Sequence, residues 1–290
     1  MRVPYVLFES VPLRMTVQRY QRHHELAMFR HTLTSLAKGF ESLLFPPSCG
    51  FCDTSEADDS LFLCTSCRES LKKIPQEICG QCGRSFPGVT SQPEGRCLSC
   101  LVRPKSYHRA RYGVSYHGIL REALLRFKFY GALYLGRPLS AILIEAFHKY
   151  FQISEFDLIV AVPMHRRRLV ERGYNQALIL AERLAQSTGI PLDRTCLNKI
   201  KDTKPQVGLS RAERITNIRN SFEVESPERI ANKRVLVIDD VATTGTTIEE
   251  VSNILRITGT QRVDALVLAL RDQKLETSER ISPLLPSDSL

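Results

Sequence analysis

No stretch of this 290-residue chain reaches the about 18 consecutive apolar residues that a membrane span requires. Residues 1–30 have neither a continuous apolar core nor a small-residue cleavage site, so a secretory signal is not expected and a cytoplasmic location is. Without a secretory route, disulfides are poor candidates for the nine cysteines. The glycine loop at 243–247 has no lysine after its glycine and lacks the long Walker A spacing, which argues against an ATPase phosphate loop. Large apolar residues are scarce between Cys49 and Cys100, too scarce for that segment to fold unaided. No histidine is placed to make a dyad with Cys196, which reads as a buried or incidental thiol. What is present is ordinary globular composition, 43% hydrophobic and 24% charged, with length for two domains. The formal charge of +9 favours anionic partners such as phosphates, nucleic acid or acidic surfaces, or marks a generally basic protein.

Eight cysteines form four Cys-x-x-Cys pairs: Cys49/Cys52, Cys64/Cys67, Cys79/Cys82 and Cys97/Cys100. Each pair aims two thiolates at one centre, and two pairs close a tetrahedral Zn²⁺ site. Links of 11 and 14 residues favour sequential pairing, with Cys49, Cys52, Cys64 and Cys67 in one site and Cys79, Cys82, Cys97 and Cys100 in the other. Interleaved pairing would demand a cross-braced fold. The regular spacing favours two structural zinc ions over an iron–sulfur cluster or redox thiols.

The most informative run is Val235-Leu236-Val237-Ile238-Asp239-Asp240-Val241-Ala242-Thr243-Thr244-Gly245-Thr246-Thr247. A buried strand ends in two carboxylates, and a loop of small hydroxyl residues then opens a helix. Asp239 and Asp240 can take two vicinal hydroxyls, directly or through Mg²⁺. Thr243, Thr244, Gly245, Thr246 and Thr247 can wrap a phosphate with backbone N–H groups and hydroxyls. A ribose 5-phosphate carries both kinds of group. A plain helix cap would need one Asp and none of the four threonines. A second cluster, Pro163-Met164-His165-Arg166-Arg167-Arg168 through Arg172, follows the strand Asp157–Val162. Its arginines could clamp a pyrophosphate, the alternative being a solvated basic turn. Lys204 to Asn217 reads as a lid or an ordinary connection.

Strands at Arg109–Tyr116, Asp157–Val162, Val235–Asp239 and Val263–Leu270 alternate with helices at Gly118–Phe129, Arg137–Phe151, Tyr174–Gln186 and Thr246–Thr258. That order implies an α/β fold with a parallel sheet covered by helices on both faces. The expected organisation is an N-terminal extension, helical or flexible, over 1–40, a double zinc ribbon over 41–104, the α/β domain over 105–272, and a flexible tail over 273–290.

The Val235–Thr247 run resembles the phosphoribosyl-pyrophosphate loop of type I phosphoribosyltransferases. Combined with Leu44-Phe45-Pro46-Pro47-x-Cys49, with His165-Arg166-Arg167-Arg168…Arg172-Gly173-Tyr174-Asn175-Gln176, and with Gln206-x-x-Leu209-Ser210…Arg214…Asn217, it resembles the ComF family. These are phosphoribosyltransferase-like proteins with an N-terminal double zinc ribbon, similar to proteins of competence and DNA utilisation. The resemblance implies that Asp239 and Asp240 hold the ribose hydroxyls and that Thr243 to Thr247 cradle the 5-phosphate. It implies that Pro163, His165, Arg166, Arg167 and Arg168 face the pyrophosphate with Mg²⁺, and that Lys128 lies near the ligand. The implied activity is glycosyl transfer from phosphoribosyl pyrophosphate, or a related phosphosugar, to an unnamed acceptor. Purine-type relatives place a carboxylate base where Thr243 sits, so the acceptor here would arrive nucleophilic or be activated elsewhere. The alternative is a nucleic-acid-binding or partner-recruiting factor, engaging single-stranded DNA or a DNA-uptake protein, with a non-catalytic pocket.

Overall fold

Two short helices of the cysteine-rich segment each begin directly after a cysteine and carry the next one a turn on. In α1 (Thr65–Glu69) the cap is Cys64, whose sulfur accepts from the Cys67 N–H at 3.4 Å. In α2 (Leu98–Val102) the cap is Cys97 and the buried partner is Cys100. The chain then runs through β1 (Arg109–Ser115), α3 (Gly118–Phe129), α4 (Gly136–Tyr150), β2 (Leu158–Ala161), α5 (Arg166–Arg172) and α6 (Gln176–Thr188). It continues through β3 (Leu192–Asp193), β4 (Leu197–Lys199), β5 (Phe222–Val224), β6 (Arg234–Ala242), α7 (Thr246–Ile257) and β7 (Arg262–Leu270). This computed structural model describes residues 48–54, 57, 62–75, 77–85, 95–202 and 220–271. The expectations for 1–40, for the Leu44–Pro47 motif, for Lys204–Asn217 and for the 273–290 tail lie outside the described residues.

Five strands form one sheet in the order β1-β7-β6-β2-β3, every pair parallel. The middle strands carry the longest apolar runs. Val235 to Ile238 and Ala265 to Ala269 are fully buried, as a sheet covered on both faces requires. Helices α4 and α6 pack against each other and one face, while α7 covers β6 and β7 from the other. The α/β expectation therefore holds. β4 and β5 make a separate antiparallel pair, with Leu197 opposite Val224. Among the described residues no helix is long and apolar enough to cross a membrane.

Boundaries differ from the sequence reading in two places. β6 runs past Asp239 to Ala242, because its pairing with β7 continues through Val241↔Ala269 and Ala242↔Leu270. The acids thus lie within the strand. The segment after β2 is not a simple loop, since α5 occupies Arg166–Arg172 and ends at Gly173, whose φ is 82°. α6 starts only after Asn175, whose side-chain oxygen accepts from Ala177 N–H at 3.1 Å.

An edge strand such as β1 presents unpaired backbone groups, and the cysteine-rich segment covers them. Ala110 N–H donates to the Gln81 carbonyl and Ser115 N–H to that of Lys72, both at 2.8 Å. Lys73 bridges Val114 in antiparallel fashion. Contact is close at Gly83: a Cβ there would sit 2.3 Å from the Ala110 carbonyl oxygen, and φ is +66°. Only glycine meets both demands.

Candidate functional site

The chain leaves β2 toward β3 and leaves β6 toward β7, in opposite directions across the sheet. β2 and β6 are neighbours, with Ala161 beside Ile238, so a crevice opens between their diverging C-terminal loops. A cavity of about 130 Å³ lies there, walled by Pro163, Met164 and His165 after β2 and by Asp239 and Asp240 of β6. Lys128 at the end of α3, Arg168 and Arg172 of α5, and Lys199 of β4 supply its cations. Asn175 secures the loop to the strand end by donating to the Val162 carbonyl at 3.0 Å.

Asp240 is buried and its carboxylate pairs with Lys128 Nζ at 2.8 Å. Asp239 accepts from the Asp240 N–H at 2.9 Å. Burial, and then the adjacent Asp240 charge, push the Asp239 carboxyl up to about 7, with Lys128 and Lys199 opposing. Near neutral pH it is thus poised between states, and donors or a cation arriving in the crevice favour its charged form. The opposite wall has the converse problem. Burial, and then Arg168, lower the pKa of both Lys199 and Arg172, although Asp240 counters this at Arg172. Cations crowded this way suit a polyanion.

After Ala242 the backbone turns at Gly245, φ +78°, which caps α7. A side chain at that φ is strained although the space beside it is open. The Thr244 and Thr246 hydroxyls hydrogen-bond to each other at 2.7 Å. The cleft between Asp239 and the threonine loop holds only about 10 Å³, so an anion entering it must widen it. From the cysteine-rich segment, the Arg84 guanidinium donates to the Thr243 carbonyl.

The three consecutive arginines do not converge on the crevice, although Arg167 and Arg168 both approach Asp202, at 3.4 and 3.7 Å. On α5 they point about 100° apart, as helical geometry requires. Arg168 lines the crevice, whereas Arg166 and Arg167 are exposed, and Arg167 engages Glu171 at 3.0 Å and Asp202 at 3.4 Å. His165 caps α5, its Nδ1 accepting from Arg167 N–H at 3.3 Å, so its ring serves the helix while lining the crevice. Sequence reasoning did not find Lys199 or Arg84. Neither sits in a motif, and Arg84 lies 159 residues from the loop it touches.

The cysteines gather sequentially: Cys49, Cys52, Cys64 and Cys67 in one cluster, Cys79, Cys82, Cys97 and Cys100 in the other. Within each cluster the sulfurs all lie within 4.8 Å of one another. Cys52–Cys64 at 3.6 Å and Cys82–Cys97 at 3.8 Å match the about 3.8 Å edge of a tetrahedron with Zn–S bonds of about 2.3 Å. Backbone N–H groups of Cys82 and Cys97 donate to the Cys79 sulfur at 3.4 and 3.2 Å, the polarity a thiolate wants. Both sites fit structural zinc, with four protein ligands and no open position. Cys196 stands apart, buried, its thiol pushed up to about 12 by burial, and hence inert.

Comparison with known proteins gives the same two parts. A double zinc ribbon domain model matches residues 40–101 and a phosphoribosyl transferase domain model matches 174–282. Competence protein F of Haemophilus influenzae is 31% identical over 211 residues, covering 71% of this chain and 90% of that protein. DNA utilization protein YhgH of Escherichia coli K12 is 28% identical over 230 residues, covering 78% and 98%. Competence protein ComFC of Bacillus subtilis is 31% identical over 217 residues, covering 69% and 85%. Likeness of that extent, running through the ribbons and the crevice alike, makes this chain a member of the ComF family.

Proposed function

We propose that the crevice binds phosphoribosyl pyrophosphate with Mg²⁺ and that the protein transfers the phosphoribosyl group to an acceptor. The observation carrying this reading is a pair of adjoining clefts that share Asp239. The threonine loop borders one, the cations Lys128, Arg168, Arg172 and Lys199 line the other, and the carboxylates stand where the two meet. Along the ligand, a ribose diol likewise stands between a 5-phosphate and a pyrophosphate. The twin carboxylates suit hydroxyl donors or a divalent cation, and Mg²⁺ would offset the charge of the pyrophosphate. In the transfer, the bond from the anomeric carbon to pyrophosphate breaks and the pyrophosphate leaves with the electron pair. A bond to the acceptor forms, and a proton the acceptor sheds passes to solvent or to the leaving pyrophosphate. Asp239 and Asp240 fix the sugar and stabilise its oxocarbenium-like charge, while Arg168, Arg172 and Lys199 receive the leaving charge. Thr243 cannot act as the base, so the acceptor must arrive nucleophilic or be activated elsewhere. Calorimetry with phosphoribosyl pyrophosphate and Mg²⁺ should record saturable binding. A pyrophosphate-release assay over a panel of bases and amines should identify an acceptor. No binding heat at millimolar ligand would end this reading.

A second reading, nucleic-acid binding, is favoured by one surface beside the crevice. Phe129, Tyr130 and Tyr134 are 65%, 79% and 50% exposed. Arg172 stacks 5.0 Å from the Phe129 ring centre and Arg126 5.7 Å from that of Tyr134. Exposed rings interleaved with cations are what stacks single-stranded bases, and relatives carry DNA utilisation in their names. Single-stranded DNA should then bind with a steep salt dependence and weaken by about 1–3 kcal/mol in Tyr130→Ala. Absence of binding at low salt would remove this reading.

A further inference from the structure

We propose that the second zinc ribbon and the segment joining it to β1 position the threonine loop, with Arg84 of the ribbon and Ser106 of the joining segment as the two grips, so that metal in this ribbon sets affinity for a phosphorylated sugar. The proposal rests on the phosphosugar reading of the crevice. Arg84 follows Cys82 by two residues, and its carbonyl accepts from the Cys79 N–H at 2.9 Å, which ties its backbone into the metal knuckle. Gly83, pressed on the Ala110 carbonyl, seats that knuckle on β1. From there the Arg84 guanidinium reaches the Thr243 carbonyl, at the entrance of the loop.

The second grip is beyond the last ligand. Ser106 lies six residues after Cys100. Its N–H reaches the two Glu249 carboxylate oxygens at 3.1 and 3.3 Å, and its hydroxyl donates to one of them at 2.9 Å. Glu249 stands in the first turn of α7, where its own N–H donates to the Gly245 carbonyl at 3.0 Å. The ribbon thus holds the loop before Thr244, and the segment that follows the ribbon holds it after Thr247. Holding both ends fixes where the backbone donors between them point, and it sets a permanent positive charge beside the loop. A ribbon serving only to cover the β1 edge would need neither contact, because Gln81, Lys72 and Lys73 already do that.

The test uses the full chain. Arg84→Met keeps the aliphatic stem and removes the donor. It should weaken ribose 5-phosphate and Mg²⁺–phosphoribosyl pyrophosphate about tenfold by calorimetry, with zinc per chain and melting temperature unchanged. Arg84→Lys should recover part of the loss. In hydrogen exchange, Arg84→Met should speed the amides of 243–247 and leave those of β2 unaltered. Unchanged exchange in the loop overturns the proposal, whatever the affinity. If the wild type binds neither ligand, the phosphosugar reading fails by itself, and faster loop exchange in Arg84→Met still establishes the grip.

Discussion

Asp239→Asn combined with Asp240→Asn should yield a folded protein that has lost at least about 100-fold in affinity for phosphoribosyl pyrophosphate. Two charge-assisted acceptors for the ribose diol disappear together, and each such bond is worth about 1.5–3 kcal/mol. Calorimetry measures the loss and circular dichroism checks the fold; an unchanged affinity would refute the site. The single variant Asp239→Asn carries a pH signature. The Asp239 carboxyl sits at about 7 in the fold against an ordinary carboxyl value of 3.8, so the native state holds the extra proton between those values. The sign follows from linkage. Its contribution to stability falls as pH rises from about 4 to about 7 and is flat above, where both states are ionised. Asp239→Asn removes that decline, so its melting temperature should exceed the wild type at pH 8 and approach it near pH 4. Ligand affinity in the wild type should rise as pH passes about 7, because the charged form accepts the hydroxyls. A flat affinity from pH 6 to 8 would contradict that assignment.

Cys82→Ser should be the most damaging single substitution in the molecule. The segment between Cys49 and Cys100 has few large apolar side chains, so metal binding supplies much of its folding energy beside the burial of Phe51, Leu63 and Ile74. Apparent zinc-binding energies of about 10–16 kcal/mol are comparable with the about 5–15 kcal/mol that holds a whole domain together. Losing the second site also frees the β1 backbone groups now paired with Gln81, leaving an open edge that invites pairing between molecules. Metal analysis should fall from about two zinc per chain to about one, with light scattering reporting aggregation. Cys196→Ser, away from both clusters, should keep both ions. A monomeric, fully stable Cys82→Ser protein with two zinc ions would show the ribbon to be dispensable.

Much of this was written locally. The Cys-x-x-Cys spacings chose their own partners, since a chain link of 11 or 14 residues reaches its neighbour with less closure entropy than a distant pair. The Val235–Ile238 run had to be an interior strand because every residue in it is apolar. Two adjacent acids followed by threonines around a glycine marked the crevice. The arginine run was read less well. As a loop it offered a clamp of neighbouring charges, but as α5 it divides them, with Arg168 and Arg172 facing the cavity and Arg166 and Arg167 facing water. The deciding factor was capping by His165 at one end and Gly173 at the other, which stabilises a short helix that propensity leaves ambiguous.

Sequence alone determined the chemistry available: two sulfur tetrads, twin carboxylates on a buried strand, and a hydroxyl loop at a helix start. Each depends on residues close together in the chain, where spacing and alternation dictate geometry. Only the tertiary structure decided which distant groups meet. The reversal of strand order put Lys199 and Lys128 opposite Asp239 and Asp240, and the docking of the ribbon on β1 carried Arg84 to Thr243. Those meetings depend on how the sheet edge is satisfied and on which side each crossover passes, and neither leaves a periodic trace in the residues themselves.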